Sequence, residues 1–149
     1  MGNSTSSNEK FEPQKPLSNQ QQNATPLGAT VEVPNTNGRV RKQTIREGTG
    51  PMPPPRMTHM KVHYTGTFAD TGNEFDSSRA RNRPFEFELG VGQVIKCWDV
   101  GMATMKKGER AILECPPEFA YGNRGMPPAI PPSSTLLFDV EVLDFSQTR

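Results

Sequence analysis

The 149-residue sequence predicts an α+β fold in which an antiparallel sheet wraps one short helix. Apolar residues alternate with strand period in runs on both sides of the chain's middle, and a single stretch between them switches to helical period. Gly- and Pro-rich punctuation separates these runs, so each element is short.

Val40, Lys42 and Thr44 alternate with Arg41, Gln43 and Ile45, a β-leaning run with only a weak apolar face. Gly48 and Gly50 end it, and Pro51–Pro55 forms a stiff extended loop. Met60, Val62 and Tyr64 alternate with Lys61, His63 and Thr65, the pattern of a half-buried strand. Asp70-Thr71-Gly72-Asn73 is turn chemistry. Phe85, Phe87 and Leu89 alternate with Glu86 and Glu88, the clearest strand of the chain, and Gly90 and Gly92 break it. Val94, Ile95, Trp98 and Met102 then fall on one helical face, with Lys96 and Asp99 pointing away and Gly101 keeping the helix short. Arg110–Cys115 is strand-like and is stopped by Pro116-Pro117. A long loop from Phe119 to Ser134 carries four prolines, and Leu136, Phe138, Val140 and Val142 mark a closing strand.

Residues 1–37 differ in kind. Asn, Gln, Ser, Thr and Pro fill 22 of these 37 positions, and Phe11 is the only aromatic. Such a segment buries too little apolar area to offset an ordering entropy of roughly 1–2 kcal/mol per residue. Composition therefore divides the chain into a disordered polar tail, 1–37, and a folded domain, 38–149. The net charge of +1 gives no global field for nucleic acid or an anionic membrane. No apolar run is long enough to span a bilayer, and the N-terminus lacks the apolar core of a secretory signal. With only Cys97 and Cys115 and no export signal, the expectation is two free thiols in a cytoplasmic protein.

Few residues suggest bond-making chemistry. His59 and His63 share a strand face but lack a third ligand nearby, and Asp70, Glu74 and Asp76 have the wrong spacing for a calcium loop. No metal or cofactor is expected. Gly90-Val91-Gly92 lacks the third glycine of a dinucleotide fingerprint, and Ser77 and Ser78 have no recognisable triad partner. The sequons at Asn3 and Asn23 need export to be used. Met1-Gly2-Asn3-Ser4-Thr5-Ser6 fits the myristoylation pattern at Gly2. One acyl chain would give only weak, reversible membrane contact.

The aromatic set is more informative. Tyr64, Trp98 and Tyr121 carry polar tips that want partners, and Tyr121 lies in a Gly/Pro loop where no core strand demands it. Packing alone accounts for many of the remaining rings, while a concave aromatic site with a few polar groups is the usual shape of a binding pocket. Six linked segments then carry a resemblance. They are Val62-His63-Tyr64-Thr65-Gly66, Phe75-Asp76-Ser77-Ser78-Arg79, Gly92-Gln93-Val94-Ile95, Phe119-Ala120-Tyr121-Gly122, Ile130-Pro131-Pro132 and Leu137-Phe138-Asp139-Val140-Glu141. In order and spacing, across roughly residues 40–146, they resemble an FKBP-type peptidyl-prolyl cis-trans isomerase.

The resemblance implies five or six antiparallel strands curled around the helix, with a pocket between helix and sheet. It implies Trp98 as the pocket floor, and Tyr64, Phe75, Phe85, Val94, Ile95 and Phe138 as walls. Tyr121 would stand at the rim, and Asp76 beside Tyr64 and Arg81. The Ile95 N–H and the Tyr121 hydroxyl would bond ligand carbonyls, and Met126 and Ile130 would complete the loop side. The implied partners are proline-containing proteins and peptides and macrolides of the tacrolimus or rapamycin type, bound by a monomer. Three departures bear on the loop contacts: Cys97 where glycine is common, Met126 where histidine is common, and Ala129 in place of a bulkier aliphatic residue. Two function classes fit these residues, an active isomerase assisting folding and a binding module whose catalysis is incidental. A protease-coupled assay on Xaa-Leu-Pro-Phe peptides separates them.

Overall fold

The computed structural model describes residues 28–147. Seven strands form one sheet: β1 (Thr30–Glu32), β2 (Arg41–Arg46), β3 (Thr58–Phe68), β4 (Glu74–Ser77), β5 (Phe85–Leu89), β6 (Arg110–Cys115) and β7 (Leu136–Gln147). The order is β1-β2-β6-β7-β3-β4, and β5 pairs with the first half of β3. Every pairing is antiparallel. Among the described residues there is one α-helix, α1 (Lys96–Gly101), which runs on into a 3-10 turn at Met102–Thr104. Among the described residues, no helix is long and apolar enough to cross a membrane.

The long central pair β3–β7 sets the inside of the sheet. Met60, Val62 and Tyr64 of β3 turn inward, as do Leu136, Phe138, Val140 and Val142 of β7, and all seven are buried. Alternation of side chains across a strand makes this face the one that receives α1. From the helix come Cys97 and Trp98, and from the 3-10 turn Met102, all buried. The helix begins one residue after Ile95, so Val94 and Ile95 lie in the approach to it and not on its face. Gly101 lets α1 lie close on β6, because a Cβ there would stand 2.9 Å from both Leu113 methyls.

Sequence patterning requires correction at four places. Thr30–Glu32, within the stretch assigned to the polar tail, pairs with Arg41–Gln43 of β2 and becomes the sheet's seventh strand. Its hold is mostly main-chain. Val33 N–H donates to the Val40 carbonyl (2.9 Å), the Thr36 hydroxyl donates to the Val33 carbonyl (2.8 Å), and Val33 is the one hydrophobic residue before 38 that is buried among those described. The intervening turn takes Asn35, Asn37 and Gly38 at positive φ, for which these residue types suit. Composition is insensitive to such bonds, so Thr30–Glu32 is not legible from it as part of the sheet; residues 1–27, including Gly2, lie outside the described residues.

The weak β2 face is inward-facing after all. Lys42 is buried because its ammonium meets the Glu109 carboxylate at 2.8 Å and the Thr104 carbonyl at 3.0 Å. Ile45 instead is exposed, beside the register shift between Thr44 and Arg46. Glu74–Ser77, which carries no alternation of its own, forms β4. Finally, the expected free thiols are a disulfide, Cys97–Cys115, with Cα atoms 5.7 Å apart and both residues fully buried. The packing of the first turn of α1 on the end of β6 brings two residues 18 apart in sequence into bridging range. Chain-local pattern carries no sign of that approach.

Candidate active site

Four strands, the helix and one loop converge on a cavity of about 290 Å³ between α1 and the sheet. β3 supplies Tyr64, β4 supplies Phe75 and Asp76, β5 supplies Phe85 and β7 supplies Phe138. The approach to α1 supplies Gln93, Val94 and Ile95, and α1 itself supplies Trp98. The loop after β6 supplies Tyr121, Met126, Ala129 and Ile130.

The rings form a cage centred on Trp98. Tyr64 meets it edge-on at 4.9 Å, Phe138 at 5.2 Å and Phe85 at 5.8 Å between ring centroids. Edge-to-face contacts of this kind add about 0.5–1.5 kcal/mol each beyond burial. Phe75 meets Phe138 edge-on at 5.7 Å. Gly66 permits this closure, since a Cβ there would lie 2.6 Å from the Phe75 ring and 2.9 Å from that of Phe138. The Trp98 indole N–H is buried with no acceptor. An unsatisfied buried donor costs about 1–3 kcal/mol, which leaves the floor ready for an acceptor atom.

Two polar features interrupt the apolar wall. The Asp76 carboxylate accepts from the Tyr64 hydroxyl and from Arg81, and Arg81 also donates to the Tyr64 oxygen at 3.0 Å. Burial raises the Asp76 carboxyl, but the hydrogen bonds from Tyr64 and Arg81 and the charge of Arg81 outweigh it, and the net shift is downward. Burial, then the hydrogen bond to Asp76, raises the Tyr64 hydroxyl, and burial, then the Asp76 charge, raises that of Tyr121. Asp76 is therefore ionised and both tyrosines neutral from about pH 5 to pH 9. A depressed carboxyl stabilises the fold above its unfolded value of about 3.9, and that contribution is lost as pH falls through the folded value. Turnover on a peptide without titratable side chains should accordingly be flat from about pH 5 to pH 9. A rate that doubled or halved around pH 7 would show that a group outside this set controls the site.

The second feature is a pair of unused donors. The Ile95 N–H and the Tyr121 hydroxyl have no acceptor among the described residues. Ile95 stands at the N-cap of α1, where its carbonyl already accepts from Trp98 at 2.9 Å. The Asp99 carboxylate holds the preceding turn by accepting from Gly90 N–H at 2.8 Å and Gly92 N–H at 3.1 Å. Tyr121 is carried by a loop that closes on itself: Gly125 N–H donates to the Tyr121 carbonyl at 3.0 Å, and Met126 and Ile130 exchange both backbone bonds.

Eleven of the twelve pocket residues named from sequence border the cavity, and Arg81 does not. Arg81 lies behind Asp76, where it holds the carboxylate and stacks over the Tyr64 ring at 5.8 Å. Sequence reading did not place Gln93 or Ala129 on the wall. Gln93 sits directly before Val94 and Ala129 directly before Ile130, both wall residues, and that adjacency is the signal for them. The two histidines are on the other side of β3. His59 bonds Glu86 and Glu88, and His63 bonds the Ser78 hydroxyl at 2.8 Å. Ser78 is itself buried.

A seven-stranded antiparallel sheet closed on a short helix, with a ring-lined cavity between them, defines a small ligand-binding α+β domain. Residues 50–143 match the sequence profile described as "FKBP-type peptidyl-prolyl cis-trans isomerase". The chain is 54% identical over 99 residues to peptidyl-prolyl cis-trans isomerase Fkbp12 of Drosophila melanogaster, covering 66% of this chain and 91% of that protein. It is 50% identical over 104 residues to FK506-binding protein 1A of Emericella nidulans, covering 70% and 95%. FK506-binding protein 59 of Drosophila melanogaster is 51% identical over 118 residues, which is 79% of this chain but 26% of that longer protein. Among solved structures, FkpA from Escherichia coli superposes with a TM-score of 0.69 at 40% identity, covering 78% of this chain and 53% of FkpA. The chain belongs to the FKBP-type peptidyl-prolyl cis-trans isomerases.

Proposed function

We propose that this domain accelerates rotation about Xaa-Pro bonds in peptides and proteins and so assists their folding, and that macrolides of the tacrolimus or rapamycin type block it. The observation that carries the reading is the Trp98 cage: a mostly apolar cavity of about 290 Å³, roomy enough for a proline ring and its neighbours, with two free donors at its edge, the Ile95 N–H and the Tyr121 hydroxyl. Rotation about an Xaa-Pro bond has a barrier of about 20 kcal/mol, because amide resonance is lost at the midpoint. No bond is made or cut, so the reaction needs neither nucleophile nor metal. The twisted amide has less charge separation than the planar one, so a water-poor aromatic pocket favours it over the ground state. Each ~1.4 kcal/mol of that preference is tenfold in rate. In this reading the cage seats the proline ring, and Ile95 and Tyr121 hold the flanking carbonyls. Asp76, fixed by Tyr64 and Arg81, sets the field at the rotating carbonyl.

Trp98 is the only tryptophan, so its emission reports the pocket without ambiguity. Saturation with rapamycin should change that emission and abolish turnover of a Leu-Pro peptide in a protease-coupled assay, with matching midpoints. Loss of turnover without any emission change would remove Trp98 from the site. In this reading the domain works as a monomer. The terminal hexapeptide supports one addition, an acyl chain on Gly2 giving weak membrane contact, which the mass of the N-terminal peptide from a myristoylating host decides.

A further inference from the structure

Seven methionines and no free thiol give this chain an unusual distribution of oxidisable sulfur. Both cysteines are joined in the buried Cys97–Cys115 bridge. A peroxide therefore meets only thioethers as soft nucleophiles. Met60, Met102 and Met105 are fully buried, whereas Met52, Met57 and Met126 are 53%, 44% and 46% exposed. Of these three, the exposed methionines among the described residues, Met126 alone borders the cavity. Its main chain is held by hydrogen bonds of 2.8 and 2.9 Å exchanged with Ile130, whose side chain is buried. The Met126 side chain is thus both open to solvent and part of the wall of an apolar pocket.

We propose that Met126 is a site of reversible sulfoxidation that weakens binding of ligands in the pocket. The inference rests on the reading of this cavity as the isomerase site. The co-reactant is a hydroperoxide. The thioether sulfur attacks the distal peroxide oxygen, the O–O bond breaks, an S–O bond forms, and water or an alcohol leaves with the proton. Sulfur loses two electrons and the peroxide gains them. A dithiol-dependent sulfoxide reductase reverses the step, releasing water and a disulfide. The product carries a polar oxygen where the neighbouring wall is Ala129 and Ile130. A ligand must strip water from that oxygen to enter. The oxygen is also an acceptor on the same rim as the Tyr121 hydroxyl and competes with a ligand carbonyl for it. Burying a polar group without full compensation raises the KM for an apolar Xaa-Pro peptide by roughly three- to tenfold, with kcat little changed.

The test uses the full-length protein treated with hydrogen peroxide, quenched with catalase, then peptide-mapped by mass and assayed. Met52, Met57 and Met126 should gain oxygen while the three buried methionines do not. KM should rise in step with the Met126 product and return after treatment with methionine sulfoxide reductases A and B. Met126→Leu protein, whatever its starting KM, should show no peroxide response, and the Met52→Leu/Met57→Leu double variant should respond like wild type. Bound rapamycin should shield Met126 but not Met52. Shielding together with an unchanged KM after full oxidation overturns the inference and leaves the pocket standing. Absence of shielding at saturating drug also overturns the inference where Trp98 emission changes, and shows that the cavity is not the drug site where that emission does not change.

Discussion

Phe87→Ala should lose about 3–5 kcal/mol of stability, while Phe75→Ala should lose less stability and more activity. Phe87 is 3% exposed, stacked on Phe85 at 5.8 Å and tilted against Trp98 at 5.8 Å, and it borders no part of the cavity. Its removal leaves a void that β5, held along five residues of β3, cannot collapse to fill. With a urea m-value of about 2 kcal/mol/M, the midpoint should fall by roughly 2 M. Phe75 is half-buried, with one side against Phe68 at 4.9 Å and the other forming cavity wall. Its loss removes ring surface that a substrate would otherwise touch, and a decrease of about tenfold or more in kcat/KM corresponds to ~1.4 kcal/mol of transition-state binding. Urea midpoints and protease-coupled rates on both variants give the comparison. If the two changes lowered stability and rate in the same proportion, these aromatics would be core residues only.

Where one face of a strand is sealed and the other wet, the alternation is visible in the chain itself. Phe85, Phe87 and Leu89, like Leu136 to Val142, could be read as strands because a shift of one residue would turn every ring or branched side chain outward. Strand β1 had no such signature. Three residues held by main-chain bonds to β2 look, in composition, like the polar tail before them. Lys42 misled in the opposite sense, because its burial depends on Glu109, sixty-seven residues away. The disulfide depends likewise on how α1 meets β6. At the pocket, family resemblance named the wall residues, but not what lets them meet. Gly66 matters only because Phe75 and Phe138 close over it, and Gln93 reaches the wall only after Asp99 has shaped the turn before α1. These relations are tertiary, and neither period nor motif encodes them.

Glu109→Ala should be the most damaging of the charge substitutions, at about 3–5 kcal/mol. The Glu109 carboxylate is 6% exposed and the Lys42 side chain 10% exposed, so neither has water to fall back on. One carboxylate oxygen accepts from Lys42 at 2.8 Å and from the Thr44 hydroxyl at 3.0 Å, and the other from Lys106 N–H at 3.0 Å. Truncation at 109 would strand an ammonium in the interior with one carbonyl, that of Thr104, as its remaining partner. Lys42→Met should cost less, because Glu109 keeps two donors. The double variant Lys42→Met/Glu109→Leu removes both charges, and replacement of a buried ion pair by apolar side chains is often neutral or stabilising. It should therefore recover most of the loss seen in the single Glu109 variant. None of these residues borders the cavity, so turnover per folded molecule should hold in all three. Urea midpoints for the cycle measure the coupling. A Glu109→Ala protein within about 1 kcal/mol of wild type would mean that water enters beside the 3-10 turn at Thr104 and solvates Lys42. A double variant no better than the single would place the loss in the bonds to Thr44 and Lys106, and not in the stranded charge.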